Sequence, residues 1–143
     1  PAPFIREARA LRATVLRHPP GHIQRTVAYY LSLGHYDALV RRMSKAYHER
    51  RQVMEDSLRN QNLTVAGQGT YGGSSVWLKA PDGVDTTGLA EKLRKDSVLA
   101  EPGAPFFAAE APPNNYLRLA YSSIPAARIP EGIRLIGDAI RYS

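Results

Sequence analysis

The chain has 143 residues, is 43% hydrophobic and carries a net charge of +6 at pH 7. This length and composition suit one domain with a buried core rather than a disordered segment. The absence of cysteine excludes disulfides and cysteine-based zinc sites, and no apolar run approaches the roughly 18 residues of a membrane helix. With no secretory signal pattern either, we expect a cytoplasmic protein.

The positive charge is concentrated in the first part of the chain. Residues 1–60 contain 11 Lys/Arg against 5 Asp/Glu, whereas residues 61–143 contain 8 of each. A basic segment can bind a polyanion, but it is more often a solvated helical face or a surface covered by an acidic partner. The basic run at 41–51 has no recognisable helix-turn-helix partner, so we expect a solvated face there rather than direct nucleic-acid contact.

Three helices are predicted in the first part of the chain. Apolar residues recur at helical spacing over 4–17, 23–33 and 35–59. The Pro-Pro-Gly run within 18–22 separates the first two, and Gly34 is suited to end the second.

After residue 60 the pattern changes to short strands and turns. Runs rich in β-branched and aromatic residues predict strands at about 63–67, 74–80, 97–103 and 116–121. Asp85 can cap a helix that ends near Asp96, and Pro130 lies in the first turn of a final helix.

The order of these elements predicts an α/β sandwich, in which N-terminal helices precede a small mixed sheet covered by helices. We expect residues 1–60 to form a helical segment that links to a further domain, and residues 61–143 to form a small α/β domain. Because the first residue is Pro1 rather than Met, we expect the chain to be a fragment of a larger protein.

Two familiar motifs carry little weight. The run GQGTYG at 67–72 matches the dinucleotide-binding spacing, but a strand follows it where a helix is required, so a glycine turn is the better interpretation. His18 and His22 are separated by two prolines and lack a carboxylate cluster, so no metal site is predicted.

Arg118 is the residue that most needs an explanation. It lies at the centre of the run NNYLRLAY, with Leu117 and Leu119 on either side. Since a buried guanidinium cannot lose its charge, it requires an anion. That anion is either a local carboxylate such as Glu101, or the carboxylate of a ligand held by two parallel hydrogen bonds. The residues alone leave both interpretations open.

Four pieces in a fixed order resemble a known family. YGGSSVWLKAP, EPGAPFF, NYLRLAYS and EGIRLIGDAI follow one another as they do in the C-terminal part of class I/II aminotransferases, which are fold-type-I enzymes dependent on pyridoxal 5′-phosphate. The resemblance extends back through HPPGHIQRTVAYYLSLGHYDALVRRM and so covers nearly the whole chain. Each piece alone is weak, but the ordered set is specific.

The resemblance implies a ligand site. Arg118 would bind the α-carboxylate of an amino-acid ligand. Other residues would line the pocket, namely Gly72, Gly73, Pro102, Gly103 and Phe106. A loop that reaches the active site from or near the partner subunit of a homodimer would include His18, Gly21 and Gln24.

The family's Schiff-base lysine lies upstream of this segment, and no lysine here replaces it. The chain alone is therefore not expected to hold the cofactor covalently or to catalyse transamination, although pyridoxal phosphate is expected in the full-length protein.

Two kinds of protein share this segment. One is the MocR type of GntR regulator, where an N-terminal winged helix-turn-helix is fused to an aminotransferase-like domain that senses an effector. The other is a free-standing aminotransferase. The stretch LRHPPGHIQRTVAYYLSLGHYDALVRRM favours the regulator, with DNA bound only through the N-terminal domain. The retained Arg118 favours the enzyme, because many regulators have lost it.

Overall fold

A computed structural model describes residues 1–67 and 73–143. The chain forms two compact units, Pro1–Met43 and Ser44–Ser143. The division falls inside the third helix, so the second unit contains the later turns of that helix as well as the α/β part. The domain boundary near residue 60 stays a prediction about the longer protein.

The first unit is helical, as predicted. It contains α1 (Ala2–Val15), α2 (Gly21–Ser32) and the start of α3 (His35–Asn60). Gly34 joins α2 to α3 with a φ of +70°, a left-handed conformation that glycine adopts without strain. No residue of α1 or α2 is buried.

The second unit is built on a four-stranded sheet. Its strands are β1 (Thr64–Val65), β2 (Ser75–Lys79), β3 (Glu101–Pro102) and β4 (Tyr116–Ala120), in the order β1-β2-β4-β3. The α/β class is confirmed, but the expectation of a mixed sheet is wrong for the described pairings, which are all antiparallel. No parallel pair forms in the described part of the sheet because β4 lies between β2 and β3. The strands β2 and β3 run in the same direction, but they do not pair with each other.

Two helices complete this unit. In α4 (Thr86–Lys95) the Asp85 side chain accepts hydrogen bonds from the backbone N–H groups of Thr87 and Gly88, which confirms the predicted cap. The last helix, α5 (Ile129–Arg141), has Pro130 in its first turn, where a missing N–H costs nothing. Short 3₁₀ turns lie at Ala104–Phe106 and Ala126–Arg128.

One face of the sheet carries the hydrophobic core. Leu78, Leu117, Leu119 and Tyr121 alternate along β2 and β4 and their continuation, and pack with apolar residues of the helices. The helical members are Met54 and Leu58 of α3, Leu89 and Leu93 of α4, and Ile129, Ile133, Ile136 and Ile140 of α5. No helix within the described residues is both long and apolar enough to cross a membrane.

Tyr121 ties this core to Gly73, which precedes β2. Its hydroxyl donates a hydrogen bond to the carbonyl oxygen of Gly73 at 3.0 Å, and its ring meets Tyr47 edge-to-face. Burial raises the pKa of the Tyr121 hydroxyl. The positive charge of Arg51 opposes this rise, and the negative charge of Glu55 adds to it. Strand alternation puts Tyr121 on the face of Leu117 and Leu119, but nothing in the sequence indicates that it holds Gly73.

We expect Leu117→Ala to lower the free energy of unfolding by about 2–5 kcal/mol, because it leaves a cavity at a position that is 0% exposed. Leu99→Ala is the matched control. Leu99 is 79% exposed, and its truncation should change stability by no more than about 0.5 kcal/mol. Urea unfolding followed by the fluorescence of Trp77, the single tryptophan, measures both. Equal effects of the two substitutions would contradict the assignment of this core.

Tyr121→Phe should cost about 0.5–1.5 kcal/mol near pH 7, because it removes the hydrogen bond to Gly73. The raised pKa adds a pH dependence. The unfolded chain releases the tyrosine proton first, at pH ~10. The stabilisation that depends on the neutral hydroxyl of Tyr121 is therefore complete below that pH and is lost as the pH rises through the folded-state pKa. Unfolding free energies of both proteins between about pH 8 and 11 test this. Parallel pH profiles would contradict it.

Candidate functional site

Arg118 lies in the middle of the central strand β4, on the face opposite the core. Leu117 and Leu119 beside it are buried, whereas its own side chain is 36% exposed. The expectation that it is a buried charge is therefore wrong, because strand alternation places it on the open face. The cost of keeping it charged is correspondingly smaller.

Two residues stand directly opposite Arg118 on the neighbouring strands. Trp77 of β2 and Glu101 of β3 are its partners in the sheet register. The Nη1 group of Arg118 donates a hydrogen bond to Oε2 of Glu101 at 2.5 Å, and the Glu101 side chain is 52% exposed. The local ion pair considered from the sequence is thus present in the structure. Because both partners are in contact with solvent, it holds Arg118 only weakly.

An aromatic cluster borders Arg118. The ring centroid of Phe106 lies 5.6 Å from the guanidinium carbon of Arg118. Phe106 also meets Trp77 edge-to-face, with 5.6 Å between their ring centroids. Phe107 stacks nearly parallel to Trp77, with a 12° angle between the planes, and also contacts Tyr116. Phe106 and Trp77 give the arginine an apolar border.

Arg118, Trp77 and Phe106 line an open cavity of about 1010 Å³. Its other side is formed by α3, which contributes Arg51, Glu55 and Arg59, and by β1 with its neighbouring residues. Arg51 donates to Glu55 at 2.6 Å, and this hydrogen bond raises the pKa of Arg51. Of the described residues that line the cavity, three are arginines, one is a glutamate and none is a lysine. The site is therefore suited to an anion and offers no amine for a Schiff base.

The glycines predicted to line the pocket have different outcomes. Gly73 has a φ of +96°, which requires glycine, whereas Gly72 lies outside the described residues. Gly103 allows the turn after β3 to approach β4. A Cβ there would lie 2.5 Å from Cβ of Tyr116 and 2.8 Å from its carbonyl oxygen. Gly73, Pro102 and Gly103 are not among the described residues that line the cavity. Pro102 and Gly103 hold the turn that carries Phe106.

The residues predicted for a partner-subunit loop all lie in the first unit. Gly21 is the first residue of α2, and the Gln24 side chain donates to the carbonyl oxygen of Pro19 at 2.6 Å. His18 contacts the same carbonyl through Nδ1 at 3.0 Å. Their role at a subunit interface stays a prediction. Within the described residues no group of three potential metal ligands occurs.

The chain is similar in sequence to known proteins over most of its length. It is 58% identical over 141 residues, 99% of the chain, to the HTH-type transcriptional regulator TauR of Rhodobacter capsulatus. It is 33% identical over 87% of its length to the 2-aminoadipate transaminase of Thermus thermophilus. No protein-family model matches it. The chain spans 29% and 31% of these two relatives.

Solved structures resemble it as well. LysN, the α-aminoadipate aminotransferase of Thermus thermophilus, solved in complex with N-(5′-phosphopyridoxyl)-L-leucine, superimposes with a TM-score of 0.79. The sequences are 28% identical, and the match covers 99% of this chain and 36% of LysN. The chain therefore has the fold of fold-type-I aminotransferases and fits the C-terminal part of the aminotransferase-like domain of a MocR-type regulator.

Proposed function

We propose that this chain is the C-terminal part of the effector-sensing domain of a MocR/GntR-type transcriptional regulator, and that Arg118 binds the carboxylate of an amino-acid effector. The observation that carries the regulator is the 58% identity to TauR over 99% of the chain. A regulator that acts on DNA would work in the cytoplasm.

Arg118 suits this role for geometric reasons. It lies on the open face of a central strand, so its position is fixed by pairing on both sides. Among the described residues, its only hydrogen-bond partner is Glu101, which takes Nη1. The N–H groups on Nε and Nη2 remain for a ligand, and they form an edge that matches a carboxylate.

The cofactor proposed for the full-length protein is pyridoxal 5′-phosphate. When bound, it would link to the amino group of an effector. The residues described here suit the effector's carboxylate, while the lysine that attaches the cofactor would come from another part of the protein. The chain alone would therefore be neither a covalent cofactor carrier nor a catalyst.

We also propose that the full-length protein is a homodimer. The first unit exposes large apolar side chains along both α1 and α2, including Phe4, Leu11, Val27 and Leu31. Such surface is typical of a protein–protein contact. It would pack against another domain or the partner subunit, near the loop with His18, Gly21 and Gln24. DNA would be bound only by an N-terminal domain.

A free-standing aminotransferase is the alternative. The 33% identity to a 2-aminoadipate transaminase and the presence of Arg118 favour it. In that case the same arginine would bind the carboxylate of a substrate rather than of an effector.

The two functions differ in DNA binding. We expect the full-length protein to bind a DNA fragment from its own upstream region, and the 143-residue chain not to bind it, because DNA recognition would belong to a separate N-terminal domain. Gel-shift or fluorescence-anisotropy titrations measure both. A full-length protein that binds no DNA but converts its bound cofactor with an amino acid would be an aminotransferase instead.

Arg118→Ala in the full-length protein should weaken amino-acid binding by about 10- to 150-fold, the loss expected for hydrogen bonds to a charged group. Cofactor binding should be unchanged. Titration of a panel of amino acids, monitored by the absorbance of the bound cofactor, measures both quantities. Arg94 is an exposed arginine of α4, so Arg94→Ala is the matched control and should have no effect. Parallel loss of cofactor and amino acid would indicate a structural role for Arg118.

A further inference from the structure

We propose that Glu101 is an internal competitor for Arg118, a residue that lowers the affinity of the site for carboxylates and so sets which ligands it accepts. This inference rests on the proposed function, because it assumes that Arg118 binds a carboxylate ligand.

The backbone of Glu101 is held firmly beside Arg118. Glu101 and Arg118 face each other in the β3–β4 register, and the next pair is Pro102 with Leu117. Gly103 then donates its N–H to the carbonyl oxygen of Tyr116 at 2.7 Å, in the close approach that excludes any side chain at that position. The backbone of Glu101 therefore stays next to the backbone of Arg118.

The side chain of Glu101 is less constrained than its backbone. It is 52% exposed, and its carboxylate contacts Arg118 through a single oxygen, Oε2. It reaches the guanidinium from β3 and is not among the described residues that line the cavity. It can therefore release Arg118 by rotating into solvent, at the cost of one exposed ion pair.

A ligand carboxylate can approach the guanidinium in two ways, and Glu101 opposes both. Binding across Nη1 and Nη2 brings the ligand to the Nη1 group that already donates to Glu101, so the two carboxylates compete for it. Binding across Nε and Nη2 lets Glu101 stay, but then two carboxylates share one guanidinium and repel each other. Phe106, at 5.6 Å from the guanidinium carbon, borders the arginine and supplies no compensating charge.

The other carboxylate near the cavity does not act in the same way. Glu55 is paired with Arg51 on α3, so its charge is already balanced by a different arginine. Glu101 is thus the carboxylate that neutralises Arg118. The arrangement would favour ligands with a positive group close to their carboxylate, as in an amino acid, over simple anions.

The test uses the full-length protein with its cofactor and propionate as the probe, because propionate has a carboxylate but no amine to react with the cofactor. Glu101→Gln keeps the shape of the side chain and removes its charge. We expect it to bind propionate about fivefold more tightly at low salt, which corresponds to about 1 kcal/mol. The gain should shrink as ionic strength rises, because solvent ions screen exposed charges.

Three further variants make the result decisive. Glu131→Gln removes an exposed carboxylate that pairs with Arg134 on α5, and it should leave propionate binding unchanged. In Arg118→Ala, propionate should bind far more weakly, and adding Glu101→Gln should no longer tighten it. Isothermal titration calorimetry measures the wild type and all four variants, and the cofactor absorbance shows that each is folded.

Unchanged or weaker binding by Glu101→Gln, with strong loss in Arg118→Ala, would overturn the competitor role and leave Arg118 as the carboxylate site. Weaker binding in particular would make Glu101 a residue that positions the guanidinium. If Arg118→Ala binds propionate as the wild type does, the proposed function of Arg118 fails, and the role of Glu101 fails with it.

Discussion

The pairing of β4 with a strand on each side is the constraint on which the second unit depends. β2 and β3 pair with β4 but not with each other, so the sheet is continuous only through Tyr116–Ala120. Because successive residues of this strand point to opposite faces, one strand supplies both the core residues Leu117 and Leu119 and the candidate ligand residue Arg118. A shift of register by one residue would exchange the two faces and remove core and site together.

Backbone contacts beyond the strand pairing then arrange the surroundings of Arg118. On the β3 side, Gly103 permits a close approach to Tyr116 that leads directly into the turn with Phe106. On the β2 side, Tyr121 holds the carbonyl of Gly73 from within the core. Each of these contacts requires a glycine at one end. A larger residue at Gly103 would disturb the cavity through the backbone that carries Phe106 rather than by filling it.

Much of this arrangement could be predicted from local sequence. Helical spacing, Asp85 as a cap and Pro130 in a first turn indicated the helices correctly, because these signals act over a few neighbouring residues. The order of strands in the sheet could not be derived in this way. It depends on β4 lying between two strands that are distant in sequence, and hydrophobic alternation does not specify which strands pair. The link between Tyr121 and Gly73, 48 residues apart, was missed for the same reason.

The two interpretations of Arg118, a local ion pair and a ligand site, are compatible once its exposure is known. In a dry interior, removing Glu101 from the guanidinium would leave a charge without a partner, at a cost of several kcal/mol. On the open face, water can solvate both groups, so the exchange of one carboxylate for another costs little. An exposed ion pair beside a cavity thus leaves the arginine available to a ligand. The same pair, buried, would have made Arg118 a structural residue.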